Sequence, residues 1–153
     1  MIVVSDTSPV TSLIHIGRLS LLRDLYGEVL LPEAVHRELS RTHPDLPSFL
    51  EVRQAQDREA VRRLESYLDL GEAEAIVVAK ETHADLLLID ERLGRLVATR
   101  EGVPISGLVG VLLDAKGQNL IGSVREVVAQ LESLAGFRLS EAVKLEAFFE
   151  AGE

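Results

Sequence analysis

The feature that most constrains the fold is the alternation of short strand-like runs with longer helical patterns. Four short strands are predicted at residues 2–5, 28–31, 86–89 and 103–106, and a weaker candidate lies at 49–53. Helical patterns long enough to connect them lie at residues 9–25, 32–41, 57–68, 71–83 and 91–101. Strands joined by helical crossovers run parallel, so we expect an α/β fold with a central parallel sheet of four to five strands.

The length of the chain predicts one domain. With 153 residues, 46% of them apolar, the chain has enough material for one buried core and none for a second full domain. Residues 108–153 contain three further helical stretches, with Ser123 and Ser140 at N-cap positions. We expect this tail to pack on the same core or on a partner subunit. Exposed apolar residues expected there, such as Phe148 and Phe149, favour a homodimer.

The charge and the residue inventory exclude several classes of protein. The 25 acidic residues outnumber the 16 basic residues, and a net charge of −9 argues against a broad basic surface, so contacts with nucleic acid must be local. The absence of Cys excludes disulfides, thiolate metal sites and a Cys nucleophile. The first apolar run meets Asp6 too early for a signal peptide or a membrane span, so we expect a soluble cytoplasmic protein with no membrane partner.

The usual signals of other enzyme classes are missing. The four His residues are scattered, without an i, i+4 pair or a nearby Ser nucleophile, which disfavours a Ser-His-Asp hydrolase. Neither a G-x-G-x-x-G run nor a Walker lysine loop occurs, and these are the usual signals for dinucleotides and nucleoside triphosphates.

Two aspartates directly follow predicted strands. Asp6 follows the first strand and Asp90 follows the strand at 86–89. The carboxyl ends of parallel strands share one edge of the sheet, where α/β proteins place their sites, so both carboxylates are predicted to lie there. The alternative for each is a helix N-cap. It is weaker at Asp6, because Ser8 followed by Pro9 makes the better cap and first-turn pair.

Two glutamates lie on helices that begin near this edge. Glu38 lies beside the apolar face of its helix, where a carboxylate is costly to bury without a cation, and a salt bridge to an Arg is the alternative explanation. Glu72 and Asp69 have capping-box spacing, which is the structural alternative for Glu72. Glu74 projects roughly 200° away around the helix, so at most one of the two glutamates faces a shared site, and Glu72 is preferred.

Together, these acidic residues indicate a metal site. Carboxylate oxygens without Cys or paired His select hard ions such as Mg²⁺ or Mn²⁺. Such ions can generate a hydroxide nucleophile and stabilise the leaving oxygen in phosphodiester cleavage. Arg92 and Arg95 follow Asp90 at i, i+3 spacing, where they can meet phosphates, although a solvated or carboxylate-paired helix face is an equal alternative. The proposed ligands are Asp6, Glu38, Glu72 and Asp90.

Four segments resemble, in this order, the pattern of PIN-domain proteins. They are Val3 to Pro9, Leu31 to Glu38, Leu70 to Ile76 and Leu88 to Arg92. More narrowly, the chain resembles a prokaryotic branch with a Gly-Glu-Ala-Glu-Ala element and a Gly-rich segment like Gly107 to Gly110. The resemblance implies a three-layer α/β/α domain and Mg²⁺- or Mn²⁺-dependent cleavage of RNA, often by the toxin of a toxin-antitoxin pair.

The resemblance also implies roles for particular residues. Asp6 matches the first metal-binding Asp, Glu38 the helical Glu, Glu72 the third acidic position and Asp90 the acid after the strand. Thr7 or Ser8 matches a hydroxyl that often hydrogen-bonds near the metal. Relatives often have Asp at the third position, and a one-residue shift would make Glu91 the fourth. The predicted substrate contacts are Ser8, Arg92 and Arg95.

The functional prediction is a metal-dependent ribonuclease with RNA as substrate and an antitoxin protein as a possible partner. The alternative is a PIN-like module that binds RNA or protein without cleaving, which the acidic net charge favours. A third interpretation takes Asp6 as a phosphoryl-accepting nucleophile. That chemistry usually has a second acid two residues later, where this chain has Ser8.

Overall fold

Five parallel strands form one sheet in a computed structural model that describes residues 1–153. The spatial order is β3-β2-β1-β4-β5, with Val4 of β1 opposite Leu30 of β2 and Ser5 of β1 opposite Leu88 of β4. All five predicted strands are present, so the predicted parallel sheet is confirmed. The strands are β1 Val3–Ser5, β2 Val29–Pro32, β3 Leu50–Arg53, β4 Leu86–Leu88 and β5 Ile105–Ser106.

Nine helices flank the sheet. They are α1 Thr7–His15, α2 Ser20–Tyr26, α3 Glu33–Ser40, α4 Arg58–Leu64, α5 Leu70–Glu81, α6 Arg92–Arg100, α7 Leu108–Gly117, α8 Val124–Leu134 and α9 Glu141–Glu150. None of them combines the length and the apolar character that crossing a membrane requires.

The core lies in two clusters on opposite faces of the sheet. Successive strand residues point to opposite faces, so Val3 packs with 20 other buried residues on one face while Val4 packs with 16 others on the second face. Buried residues of α1, α2, α3, α7, α8 and α9 belong to the first cluster, and those of α4, α5 and α6 to the second. The molecule is therefore a three-layer α/β/α domain, as the sequence predicts.

The predicted helix over residues 9–25 is two helices. Between α1 and α2, Gly17 adopts a φ of +70°, a left-handed conformation that is common after a helix end and that glycine adopts without a steric penalty. Its N–H bonds to the carbonyl of Ile14 at 3.0 Å. The turn redirects α2 along the same face of the sheet, where Leu21 and Leu22 are buried.

The tail packs on the first core cluster. Ser123 and Ser140 cap α8 and α9 as predicted, each accepting the N–H of the residue three positions later. Phe148 is only 8% exposed and lies under the guanidinium of Arg125, which is 4.2 Å from the ring centroid. The expectation that Phe148 is exposed is wrong, because it lies on the face of α9 that packs on the core. Phe149 is 85% exposed.

Candidate metal centre

The order of the strands determines where a crevice forms at the edge of the sheet. The chain builds β1, β2 and β3 towards one edge and then returns to lay β4 beside β1, so helices leave β1 and β4 in different directions. Crevices for ligands form at such a switch point, outside the carboxyl ends of the strands. Asp6 and Asp90 follow these two strands, and the N–H of Asp6 bonds to the carbonyl of Leu88 at 2.9 Å. Both acids therefore lie at the same edge, as expected from the sequence.

Asp6 occupies the N-cap position of α1 without capping it. The helix begins at Thr7, so the expectation that Ser8 is the cap is wrong. Pro9 is then the third helical residue, which is allowed because first-turn N–H groups have no intrahelical partner. The Asp6 side chain makes no capping hydrogen bond and is 6% exposed.

The environment of Asp6 favours its protonated form. Burial raises the pKa of Asp6 to about 7, and the amide of Thr7 opposes this rise. The negative charges of Asp69, Glu38 and Asp90 raise the pKa further. A cation bound among these carboxylates would favour the charged form of Asp6 and lower its pKa again.

Glu38 lies on the exposed side of α3, not beside its buried stripe. The predicted desolvation cost is therefore wrong, and the alternative salt bridge to an Arg is not formed either. Its Oε2 atom accepts the hydroxyl of Thr7 at 3.0 Å. Of the two hydroxyls weighed from the sequence, that of Thr7 contacts an acidic side chain, whereas Ser8 is exposed.

Glu72 is buried at the first turn of α5 and forms the capping box that was its structural alternative. Asp69 Oδ1 accepts the Glu72 amide at 2.8 Å, and Glu72 Oε1 accepts the Asp69 amide at 3.2 Å. Burial raises the pKa of Glu72 to about 8, and the charges of Asp69, Asp6 and Glu91 add to the rise. Glu72 therefore caps α5 and also faces the carboxylates of the site.

Glu74 has a structural role elsewhere. The residue is 2% exposed. Its Oε2 atom accepts a hydrogen bond from Arg58 Nη1 at 2.9 Å, and its Oε1 atom accepts the amide of Ala34 at 2.8 Å. Ala34 is in the first turn of α3, so Glu74 satisfies an amide that Pro32, the N-cap residue, cannot bond with its side chain.

Asp90 uses only one of its two carboxylate oxygens. Oδ1 accepts the amide of Leu108 at 3.1 Å, at the start of α7, while Oδ2 is buried and has no hydrogen-bond partner. Burial raises the pKa of Asp90, and the Leu108 amide and the charge of Arg95 oppose the rise. Its neighbour Glu91 is an exposed N-cap that accepts the amide of Gly94 at 2.7 Å, which explains Glu91 without a metal.

The sequence did not single out Asp69 as part of the site. Asp69 contributes the largest carboxylate repulsion felt by Asp6. A Cβ atom at Gly71 would lie 3.6 Å from Asp69 Oδ1 and 3.7 Å from Asp6 Oδ1, so both oxygens flank this glycine. Its capping-box position with Glu72 was the available signal, because both residues of a capping box lie at the same helix end.

The predicted substrate contacts lie around this centre. Ser8 and Arg92 are exposed on the first turns of α1 and α6. Arg95 is half-buried, and its Nη1 donates to the carbonyl of Ile89 at 2.8 Å. Neither arginine forms a salt bridge within the protein.

The carboxylate oxygens of this centre fit a hard divalent cation, although they are not yet arranged around one point. No three His, Asp or Glu side chains lie close enough together to ligate a single ion. The available donors are nevertheless carboxylate oxygens, which Mg²⁺ and Mn²⁺ prefer. Asp90 Oδ2 is a buried oxygen without a partner, and Asp6 and Glu72 are buried without a basic neighbour. Ligation would require these side chains to rotate towards one another.

Comparison with known proteins identifies the family of this chain. No curated protein matches the chain. The profile of the PIN domain matches residues 2–153, almost the whole chain. PIN domains are generally nucleases and typically use divalent metal ions. The chain belongs to the PIN-domain family.

Proposed function

We propose that this protein is a metal-dependent ribonuclease whose centre is the group of carboxylates at the β1 and β4 strand ends. The observation that carries the proposal is the difference between the three buried carboxylates of the molecule. Glu74 has an arginine partner, whereas Asp6 and Glu72 have none. A buried carboxylate without a cation is costly, and both of these residues match acidic positions in the PIN-domain pattern that the sequence resembles.

Asp6, Glu38, Glu72 and Asp90 would hold one or two Mg²⁺ or Mn²⁺ ions, with Asp69 as a further carboxylate beside Asp6. A bound divalent ion supplies an activated water and stabilises the negative charge that develops on a phosphodiester. The Thr7 hydroxyl positions Glu38 through its hydrogen bond. Ser8, Arg92 and Arg95 are the proposed contacts to the RNA backbone.

The alternative is a PIN module that binds RNA or protein without cleaving. The observation in its favour is that no three acidic side chains are arranged around one point, together with the net charge of −9. The two functions differ in turnover, since a binding module gives no metal-dependent products.

Metal-dependent cleavage by an Asp6→Asn variant tests the proposal. Parent and variant are incubated with total bacterial RNA and increasing Mn²⁺, and binding of Mn²⁺ is measured by calorimetry. We expect the parent to cleave and the variant to lose about 10²-fold or more in rate, with weaker Mn²⁺ binding. Asp24→Asn is the matched control, since Asp24 is an exposed residue on α2 paired with the adjacent Arg23.

Equal cleavage by parent and Asp6→Asn would remove Asp6 from the centre. Absence of products from the well-folded parent over the whole Mn²⁺ and Mg²⁺ range would favour the binding module. Circular dichroism shows whether each variant is folded.

A further inference from the structure

A cavity of about 540 Å³ opens beside Asp90, between the start of α7 and the segment that joins α8 to α9. Its volume lies in the range of small-ligand sites. The residues that matter for its chemistry are Asp90, Arg95, Ser106, Gly107, Phe137 and Arg138. We call it the α7 cavity. Because Asp90 belongs both to the cavity and to the carboxylate centre, a molecule in the cavity lies next to that centre.

Two arginines make the α7 cavity locally basic in an acidic protein. Arg95 is held by the carbonyl of Ile89, and Arg138 by the carbonyls of Glu132 at 3.0 Å and Phe137 at 3.3 Å. Neither guanidinium has a carboxylate within salt-bridge distance, and each uses only its Nη1 in these bonds. The remaining donors of both groups are available for an anion, and the fork of a guanidinium matches a phosphate.

Two glycines allow neighbouring side chains to approach the α7 end of the cavity closely. A Cβ atom at Gly107 would clash with Asp90 Oδ1 and lie 2.9 Å from Arg95 Nη1. A Cβ atom at Gly110 would clash with the hydroxyl oxygen of Ser106. The Gly-rich segment noted in the sequence therefore lets an acid, an arginine and a hydroxyl approach the first turn of α7, whose amides favour negative charge.

Phe137 gives the α7 cavity an aromatic surface. The residue is half-buried, and its amide bonds to the carbonyl of Leu131 at 3.1 Å, which fixes its backbone at the end of α8. Bases of single-stranded RNA stack on aromatic side chains, and duplex RNA does not offer its stacked bases for this contact.

We propose that the α7 cavity binds one nucleotide of a single-stranded RNA, with a phosphate on Arg95 and Arg138 and the base against Phe137. This assignment rests on the proposed function, because it places the bound nucleotide next to the scissile bond. It makes the segment between α8 and α9 a determinant of specificity. Residues 42–47 line a different cavity together with Ile14 and Leu19.

Binding without turnover tests the assignment. A short fluorescein-labelled oligouridine RNA is titrated with parent, Arg138→Gln and Phe137→Leu in EDTA, and fluorescence anisotropy is followed at several salt concentrations. We expect Arg138→Gln to weaken binding about five- to tenfold and to reduce the slope of log K against log salt by about 0.7. Phe137→Leu weakens binding by about fivefold or more with an unchanged slope, because it removes stacking and leaves the charge.

Arg100→Gln is the matched control. Arg100 is exposed on the last turn of α6, about 12 Å along that helix from its start at the site, so its RNA affinity should equal that of the parent. An RNA duplex of the same length should compete less well than the single strand. Parental affinity in both cavity variants, or equal competition by the duplex, would overturn the assignment.

The two proposals fail in different ways. If the parent cleaves RNA but both cavity variants bind oligouridine as the parent does, only the cavity assignment falls. If the cavity variants lose affinity while the parent shows no metal-dependent cleavage, the ribonuclease proposal falls and the RNA site stands.

Discussion

At the residue scale, Glu72 and Glu74 differ in their partners and not in their burial. Both are almost fully buried on α5. Glu74 is neutralised by Arg58 and bonded to the Ala34 amide, so its charge is satisfied within the fold. Glu72 has one backbone amide and several negative neighbours. An unsatisfied charge that the fold retains indicates a ligand of opposite sign.

The buried charge of Asp6 makes a prediction about pH and stability. The ordinary pKa of 3.8 applies to the unfolded chain and a pKa of about 7 to the folded one. Between about pH 4 and pH 7 the folded state retains a proton that the unfolded state has lost, so the contribution of Asp6 to stability falls as pH rises through this window. We expect Asp6→Asn to be more stable than the parent by about 2–4 kcal/mol at pH 8, and equal to it near pH 4.

Urea denaturation at several pH values measures this difference, and Mn²⁺ provides the control. Binding to the native state stabilises it by mass action, so Mn²⁺ at pH 8 should raise the melting temperature of the parent and leave that of Asp6→Asn nearly unchanged. If the parent is more stable than Asp6→Asn at pH 8 in EDTA, the conclusion that Asp6 is buried without a cationic partner is wrong.

At the scale of the element, close contacts of neighbouring side chains constrain the start of α7. Gly107 has no side chain because Asp90 Oδ1 and Arg95 occupy that space. A Gly107→Ala substitution must push Asp90 from the Leu108 amide or shift α7, at a cost of about 1–3 kcal/mol. We expect a lower melting temperature, together with weaker binding of Mn²⁺ and of oligouridine.

Gly117→Ala is the matched control in the same helix. No atom outside the adjoining residues and the local helix backbone lies within 4 Å of a Cβ at this position, and α7 ends there. Alanine is the better helix former, by up to about 1 kcal/mol, so this variant should be as stable as the parent or slightly more stable, with normal binding of Mn²⁺ and RNA. Equal melting temperatures and equal binding in the two alanine variants would show that the close contact between Gly107 and Asp90 does not hold Asp90 in place.

The boundaries of α1 and α2 and the composition of β3 depend on tertiary packing. The apolar pattern of residues 9–25 continues across Gly17, because α1 and α2 pack on the same cluster. Periodicity therefore predicts one helix where the structure has two. Conversely, the less apolar β3 is an edge strand, and three of its four residues are exposed. Its weak apolar pattern reflects this position, because an edge strand has less surface to bury.

At the scale of the whole molecule, the sheet joins two core clusters, and this makes a prediction about cooperativity. Leu112 is fully buried in the first cluster and Ile76 in the second. Replacement of either by Ala should lower the free energy of unfolding by about 2–5 kcal/mol. Because every central strand contributes side chains to both clusters, each variant should still unfold in one transition.

Coincident transitions in calorimetry and in near- and far-ultraviolet circular dichroism would establish this cooperativity. Two separate transitions in either variant would mean that the clusters fold independently, against the prediction of one domain. The predicted homodimer and the predicted antitoxin remain predictions from the sequence.

The sequence by itself determined the layered fold and the strand-end acids. Strand and helix periods are local properties, and the positions of Asp6 and Asp90 after parallel strands follow from the order of the elements. In three acids of the proposed site, Asp6, Glu72 and Asp90, burial raises the pKa of the carboxyl group.

Only the tertiary structure decided which residues of other elements contact Glu38, Glu74 and Asp90. The Thr7 hydroxyl meets Glu38 across 31 residues, Arg58 meets Glu74 across 16, and Leu108 meets Asp90 across 18. These pairings, the approach of Asp69 to Asp6 and the α7 cavity depend on the relative placement of whole elements. Periodicity along the chain shows which face of a helix is buried, but the neighbour that satisfies a buried charge comes from another element, chosen by packing.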